Sequence, residues 1–393
     1  MGHHQDSKDS VVPLIDRLNK YPIGLPDSEK LRRILAILFS EDEAYLASRF
    51  PLQEASLKEL ARATRWSPQK LEPLLEKMAD KGLIMDMVYN GSTYYLLMPG
   101  LIGFFEFTFM KQRQDLPVEE LAQLMHEYLF EDPDNSMGKE MFGSKTPLTR
   151  ALTYDEHIPV ESVVTTYDSA RRIIQEAGYG AIGMCYCRHK KEHLDGTCAK
   201  KAPAKEICIS LGTAAKFMVR RGFAEERSVD ELLAILEQAR ELNLTHITDN
   251  IRYKPSFICN CCSCCCELLG GVMQGFPNGV AKAPFSLKIN EESCIGCGLC
   301  WKNCNVGAIE PLELTQGEEE KNVAAVAADK CLGCGACIST CPTESLSLVP
   351  VSRPEPPARK RELFVEILKE KKRYTPFVVE HIKKTVSRKI GLG

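Results

Sequence analysis

The sequence predicts a multidomain α+β protein, and three observations support this prediction. The N-terminal part combines helical periodicity with one hairpin signal, the middle combines helical patterns with ten cysteines, and the C-terminal part holds eight more cysteines in two short runs. With 393 residues, the chain is long enough for two or three separate cores. We divide it into a flexible lead-in (1–27), a helix-and-hairpin domain (28–110), a mainly helical cysteine-rich domain (111–284), a two-run domain (285–350) and a basic tail (351–393).

The composition excludes several classes of protein. The 50 basic and 53 acidic residues leave a net charge of only −3, so no overall field attracts nucleic acid or an anionic membrane. No apolar stretch reaches the roughly 18–20 residues needed to span a bilayer. The first twenty residues lack a basic stretch followed by an apolar one, as a secretory signal requires. We therefore expect a cytoplasmic protein without a transmembrane segment.

The cysteine distribution indicates metal binding. None of the 18 cysteines precedes Cys185, and all of them then occur in tight runs. A disulfide scaffold is usually a short secreted chain stapled along its whole length. Because this chain has a long cysteine-free part and no export signal, we favour metal over disulfides.

The N-terminal elements follow from periodicity and capping residues. Apolar spacing over 29–47 predicts one helix, and Ser56 with Glu59 forms a capping box for a second. Ser67-Pro68 opens a third helix, which stops at Gly82. Asn90-Gly91 lies between two β-prone runs, the strongest short signal of a hairpin. This order resembles winged-helix domains over residues 29–98. In the middle region we expect helices at 168–177, 213–221 and 229–242.

Two identical patterns carry the clearest chemistry. Residues 294–304 and 331–342 both contain C-x2-C-x2-C-x3-C. A [4Fe–4S] cluster needs four thiolates, and in such runs the fourth cysteine ligates the other cluster. The segment 285–350 closely resembles two-cluster bacterial ferredoxins. The predicted ligands are Cys294, Cys297, Cys300 and Cys341 for cluster one, and Cys331, Cys334, Cys337 and Cys304 for cluster two. Zinc is disfavoured because it prefers separated C-x2-C pairs.

The segment also departs from that resemblance in two places. Asn305 replaces the proline usual after the fourth cysteine. An enlarged acidic connection, 310–329, separates the runs; we interpret it as a solvated loop, with a docking surface for a partner as the alternative. Apolar alternation at 287–289 and 346–348 suits the two edge strands that such domains pair.

Ten cysteines remain outside these runs, and we expect most of them to bind metal. Six thiols within residues 259–266 cannot all enter an apolar core, and thiolates so close repel each other unless a metal neutralises them. We predict one or two further iron–sulfur clusters here, without choosing ligands. The region loosely resembles those that precede ferredoxin domains in iron–sulfur proteins of anaerobic bacteria. The candidate metal ligands are Cys185, Cys187, Cys198, Cys208, Cys259, Cys261, Cys262, Cys264, Cys265 and Cys266.

Several other features have two interpretations. The basic stretch 188–193 is a solvated loop, or a set of cations that tunes a cluster or binds an anion. His246 fits a structural histidine better than a ligand. The candidate recognition helix is nearly neutral and the hairpin tip has no cation, so we favour protein docking over DNA binding. The basic tail wraps the protein's own body, or contacts an anionic membrane surface.

The function predicted from these features is electron transfer by a multi-cluster iron–sulfur protein, as partner or subunit of an anaerobic oxidoreductase. Two alternatives stay open. One is a stand-alone reductase with an open-site cluster in residues 185–266. The other is a redox-responsive winged-helix regulator that binds DNA. No G-x-G-x-x-G pattern follows a predicted strand, so nothing indicates a dinucleotide or flavin site.

Overall fold

The computed structural model describes residues 11–132, 134–159, 166–194, 196–316, 319–375, 377–379 and 382. The first helices among the described residues are α1 (Val12–Leu18), α2 (Glu29–Leu38), α3 (Glu41–Ser48), α4 (Leu57–Thr64) and α5 (Pro68–Asp80). A small antiparallel sheet of order β1–β3–β2 accompanies them, made of β1 (Ala55–Ser56), β2 (Ile84–Tyr89) and β3 (Ser92–Leu97). The hairpin turns at Asn90 and Gly91, both with positive φ, which is what a tight two-residue turn requires.

The capping signals explain most of these bounds. Ser56 and Glu59 form the expected capping box of α4, and Ser67 caps α5 with Pro68 at its first position. The single helix expected over 29–47 is wrong, because Ser40 forms a further capping box that starts α3. Apolar residues recur on both sides of Ser40, so the sequence pattern does not reveal the boundary between α2 and α3.

The lead-in at 11–27 is packed rather than flexible. Leu14, Leu18 and Leu25 are fully or almost fully buried, in the same apolar core as the helices that follow. That core extends through α6 (Phe105–Phe109), α7 (Val118–Phe130) and α8 (Ser136–Phe142), beyond the boundary expected at residue 110. The apolar residues of 11–27 are interrupted by Pro13, Pro22 and Pro26, and tertiary contacts bring them into one core.

The middle region contains a sheet that the expectation of a mainly helical domain at 111–284 did not include. Seven strands run in the order β10–β4–β8–β9–β6–β5–β7, and the β10–β4 pair is parallel while the others are antiparallel. The strands are β4 (Thr149–Ala151), β5 (Gly180–Gly183), β6 (Cys208–Leu211), β7 (Ala224–Arg227), β8 (Thr245–Asp249), β9 (Phe257–Cys261) and β10 (Val280–Ala281). They are too short and too rich in Gly, Cys and polar residues to show period-two alternation.

Helices pack around this sheet near the positions expected. They are α9 (Ala170–Ala177), α10 (Tyr186–Glu192), α11 (Gly212–Arg220), α12 (Val229–Glu241) and α13 (Glu267–Met273). Gly178 ends α9 in the left-handed conformation, and Ser228 with Glu231 forms the capping box of α12. The helix α10 was not expected; it carries Cys187 and the basic stretch.

Asp86 of β2 joins the hairpin to the middle region. Its carboxylate accepts hydrogen bonds from Arg220 and Arg221 at the end of α11, at 3.1 and 3.0 Å. Burial raises the pKa of Asp86, but the bonds and charges of the two arginines outweigh it and hold the pKa below its usual value. The N-terminal region is thereby tied to the sheet of the middle region.

The C-terminal segment pairs its first and last strands, β11 (Phe285–Ile289) and β14 (Leu346–Pro350). Between them lie α14 (Leu299–Asn303) and the hairpin of β12 (Ile309–Gln316) and β13 (Glu319–Val326). The acidic connection is therefore a hairpin and not a solvated loop. Its buried Val323 and Ala324 supply the apolar contacts that order it, while Glu318 lies outside the described residues.

The helix α15 (Lys360–Glu370) packs against the N-terminal core. Leu363 and Ile367 are buried in the N-terminal core, and Lys371 and Arg373 bind the carboxylate of Glu140. Among the described residues, none of the helices has the length and apolar character that crossing a membrane would take.

Candidate functional site

Two cavities divide the eight C-terminal cysteines into groups of four. The first, about 310 Å³, is lined by Cys294, Cys297, Cys300 and Cys341. The second, about 410 Å³, is lined by Cys304, Cys331, Cys334 and Cys337. Each cavity takes three cysteines from one run and the fourth cysteine from the other. This grouping has the crossed arrangement of a two-cluster iron–sulfur domain.

Glycines leave room for the backbone to approach each cavity. A Cβ on Gly296 would lie 2.3 Å from the carbonyl oxygen of Asn322, and one on Gly333 would lie 2.2 Å from that of Phe285. Both residues also have positive φ. The loops therefore need glycine for conformation and for space.

The donor set of each cavity suits iron. Backbone N–H groups of Ala324, Ala308 and Ser345 donate to the sulfur atoms of Cys294, Cys304 and Cys341, at 3.4, 3.2 and 3.3 Å. Such bonds are typical of cluster thiolates and help to set their reduction potential. Desolvation raises the pKa of the Cys334 thiol to about 11. A cation at the site would be needed to keep this thiol ionised near neutral pH.

The two cavities differ in access to solvent. Cys297 of the first is exposed, and the neighbouring Ile295 and Leu299 are 62% and 42% exposed. The second cavity faces the middle region and is lined in part by Thr245 of β8. One end of the segment is therefore open, and the other is covered by protein.

Backbone bonds attach the second cavity to the middle sheet. Tyr154 N–H donates to the carbonyl of Cys334 at 3.0 Å, and the Thr153 hydroxyl donates to the carbonyl of Gly333 at 2.9 Å. Asn305, the residue that replaces proline, donates from its side chain to the carbonyl of Asn243 at 2.8 Å and to the Thr245 hydroxyl at 3.0 Å. A proline could make neither bond, so this departure secures the contact between the two regions.

Comparison with known families agrees with this geometry. The family model of the 4Fe-4S dicluster domain matches residues 287–348. These residues are similar to 4Fe-4S dicluster domains, and we call them the dicluster domain. The match supports 4Fe–4S clusters and iron–sulfur electron transfer as the chemistry of this segment. Curated proteins and solved structures yield no match to the chain.

The ten cysteines of the middle region form two groups, which sequence reasoning could not separate. The four-thiol group is Cys198, Cys262, Cys264 and Cys265, whose sulfur atoms all lie within 4.8 Å of one another. The six-thiol group is Cys185, Cys187, Cys208, Cys259, Cys261 and Cys266. Five of the ten come from α10, β6 and β9 or their ends, so the unexpected sheet is what sorts them.

The thiols of the six-thiol group interact with each other in a connected series. Cys187 interacts with Cys185 and Cys266, and Cys261 interacts with Cys266 and Cys259. Cys208 interacts with Cys259. Cys259 and Cys261 occupy alternate positions of β9 and so share one face.

Arg188 lies between the two groups. Its guanidinium is 3.5 Å from the sulfur of Cys185 and 3.4 Å from that of Cys262, and it donates to the carbonyl of Asn260 at 2.9 Å. Burial would lower the pKa of Arg188, but the adjacent Cys185 and Cys262 thiolates raise it above its ordinary value. A buried cation thus faces thiolates of both groups.

The basic stretch 188–193 is not a solvated loop. Arg188, His189 and Lys190 are buried on α10. Lys190 forms an ion pair with the buried Glu267, and His189 bonds the carbonyl of Phe109 at 2.7 Å. The stretch looks exposed in sequence because its carboxylate and carbonyl partners come from distant parts of the chain.

His246 has the surroundings of a structural residue. Its Nδ1 lies 2.6 Å from the side-chain oxygen of Asn260, and its ring packs 5.0 Å from that of Tyr154. Burial lowers its pKa to about 4, so the imidazole is neutral near pH 7. It points away from the thiol groups because Asn260 and Cys261 alternate along β9.

Replacing Gly296 by alanine should remove iron from the first cavity, because the new Cβ would collide with the Asn322 carbonyl. We expect Gly296→Ala to lose about half of the iron of the dicluster domain. The matched control is Gly91→Ala, whose φ is equally positive but which has no atom within 4 Å. It should cost about 1–2 kcal/mol of left-handed strain and leave iron unchanged. Full iron content in Gly296→Ala would contradict the tight cradle.

Removing the Asn305 side chain should loosen the dicluster domain from the middle sheet. Asn305→Ala deletes two buried hydrogen bonds and leaves the Asn243 carbonyl unsatisfied, so we expect a loss of about 1–3 kcal/mol. Hydrogen exchange at residues 243–246 and 331–337 measures the opening of this contact. Ser347→Ala, at an exposed position of β14, is the control and should change neither stability nor exchange. Unchanged exchange in Asn305→Ala would mean that the backbone bonds suffice.

Proposed function

We propose that the protein transfers electrons between an iron–sulfur centre in the six-thiol group and a redox partner, through the two clusters of the dicluster domain. One observation carries this proposal. Cys261 and Cys266 belong to one buried apolar cluster with Val306, Ala308 and Leu332, and both Cys304 and Cys331 of the second cavity pack against it. A continuous path of packed apolar side chains therefore joins the two cysteine-rich regions.

The order of the sites suits transfer in sequence. The six-thiol group lies inside the middle region, the second cavity lies at the contact between regions, and the first cavity reaches the surface at Cys297. Cys294 and Cys300 share a second apolar cluster with side chains that also contact Cys331 and Cys337. Bound at these thiols, [4Fe–4S] clusters would supply one-electron redox chemistry. The apolar side chains of the protein would hold the two clusters close to each other.

The crossed ligands form part of this proposal. Cluster one would bind Cys294, Cys297, Cys300 and Cys341, and cluster two would bind Cys331, Cys334, Cys337 and Cys304. The exposed Ile295 and Leu299 beside Cys297 suit a docking surface for a redox partner. We infer that the partner is an oxidoreductase, with this chain as its partner or subunit.

The helix-and-hairpin region supports protein contact more than DNA binding. The acidic side chains of Glu76 and Asp80 on α5 bind Arg221 of the middle region. Lys70, a cation near the start of α5, pairs with Asp42 and lies over the Trp66 ring. Lys70, which could otherwise reach a phosphate, is thus engaged within the chain. We propose that this winged-helix-like region docks protein.

Iron analysis of the full chain tests the proposal. Two clusters account for about 8 irons and acid-labile sulfides, and a further cluster in the six-thiol group raises this to about 12. Cys187→Ser removes a thiol that contacts Cys185 and Cys266, so it should lose about 4 irons and retain the EPR signals of the reduced dicluster domain. Cys297→Ser is the reciprocal variant and should change those signals while the middle centre persists.

Two outcomes would contradict this function. If the wild type contains about 8 irons and Cys187→Ser contains the same number, the six-thiol group holds no cluster. The second outcome concerns a middle centre that is present. The dicluster domain is reduced with stoichiometric dithionite, and the protein is equilibrated at each step of a redox titration. If the middle centre stays oxidised throughout, the two do not exchange electrons.

A further inference from the structure

The four-thiol group has a geometry that differs from the iron–sulfur cavities. Its sulfur atoms lie 3.6 Å apart for Cys198 and Cys262, 3.8 Å for Cys198 and Cys264, 3.3 Å for Cys262 and Cys264, and 3.7 Å for Cys264 and Cys265. One ligand comes from the loop after α10, and three come from the turn between β9 and α13. The group thus closes around a single point.

These distances match the coordination of one ion. A tetrahedral zinc site has Zn–S bonds of about 2.3 Å, which places its sulfur atoms about 3.8 Å from each other. In a [4Fe–4S] cluster each thiolate binds a different iron, so the sulfur atoms surround the whole cluster and stand further apart. The four-thiol group is too tight for a cluster and suited to one ion.

The same structure provides an internal comparison. Among the residues that the structure describes, no three sulfur atoms of the eight dicluster cysteines lie within 4.8 Å of one another. Those cysteines instead line two separate cavities. The two arrangements therefore differ in the spacing of their sulfur atoms within one chain.

The surroundings suit a tetrathiolate ion, which carries a net charge of −2 when the metal is divalent. Arg188 lies 3.4 Å from the Cys262 sulfur, and the Lys200 ammonium interacts with the charges of Cys198, Cys262 and Cys264. The backbone N–H of Ala199 donates to Cys264. Cations and N–H donors around the ligands are the outer contacts that metal thiolates usually have.

We propose that Cys198, Cys262, Cys264 and Cys265 bind one tetrahedral metal ion, and that this ion stabilises the structure without belonging to the electron path. Zinc is the expected occupant, since Zn²⁺ binds such sites more tightly than Fe²⁺. The ion ties the Cys198 loop to the β9–α13 turn. From that loop, Lys200 donates to the carbonyl and side-chain oxygens of Asn303, at 3.3 and 2.8 Å, just before Cys304. The ion thereby supports the surface on which the dicluster domain rests.

The first test needs no variant. The full chain, purified without oxygen, should contain one zinc per chain in addition to its iron. Zinc K-edge X-ray absorption should show four sulfur neighbours at about 2.3 Å and no metal neighbour. A mononuclear iron tetrathiolate, identified by Mössbauer spectroscopy of ⁵⁷Fe-enriched protein, would support the same single-ion geometry with the other metal.

Variants then assign the ion to these residues. Cys198→Ser and Cys264→Ser should each lose the single ion while acid-labile sulfide stays at the wild-type value. Ser263→Ala is the matched control, because Ser263 is exposed between Cys262 and Cys264 and should retain the ion. The proposal is overturned if either cysteine variant loses sulfide together with iron, which means a cluster, or if the wild type holds no mononuclear ion. Neither result depends on whether the other centres transfer electrons.

Discussion

The charge of closely packed thiols is the constraint on which the architecture depends. Cysteines 185, 187 and 259–266 converge at one part of the middle sheet, where sulfur atoms contact each other in place of ordinary apolar side chains. Thiolates so near each other require cations, and the protein supplies Arg188 between the two groups and Lys200 at one side. Metals at the two groups would supply the remaining positive charge. Without them, we expect this part of the fold to be the first to open.

The contact between the middle sheet and the dicluster domain follows from the same arrangement. The loop 331–337 accepts hydrogen bonds from the backbone N–H of Tyr154 and the hydroxyl of Thr153. The Asn305 side chain donates hydrogen bonds to the Asn243 carbonyl and the Thr245 hydroxyl. These bonds fix the second cavity against the side of the sheet that carries the six-thiol group. The first cavity lies at the surface, where Cys297 is exposed. The two halves of the repeated cysteine pattern therefore differ in burial.

Local signals were sufficient where the chemistry is local. The capping boxes at Ser56 and Ser228 and the Asn90-Gly91 turn depend on residues within a few positions. The pairing of Leu287 with Leu348 was expected from the resemblance to two-cluster ferredoxins. Local signals failed where contacts between distant residues determine the structure. The strands of the middle sheet are two to five residues long, and they are stable only because neighbouring strands and helices cover them. Helical periodicity likewise hid the break at Ser40.

The cysteine spacing is enough to place two sets of four in residues 285–350, because the spacing within each run sets how its thiols can surround a cluster. The density of the middle cysteines is enough to predict metal there, because closely spaced thiolates repel each other. The division of the ten into six and four depends on the fold, since Cys198 and Cys262 are 64 residues apart in the sequence. The contact of the six-thiol group with the second cavity also depends on the fold, because packing around Val306 and Leu332 makes this contact and no spacing encodes that packing.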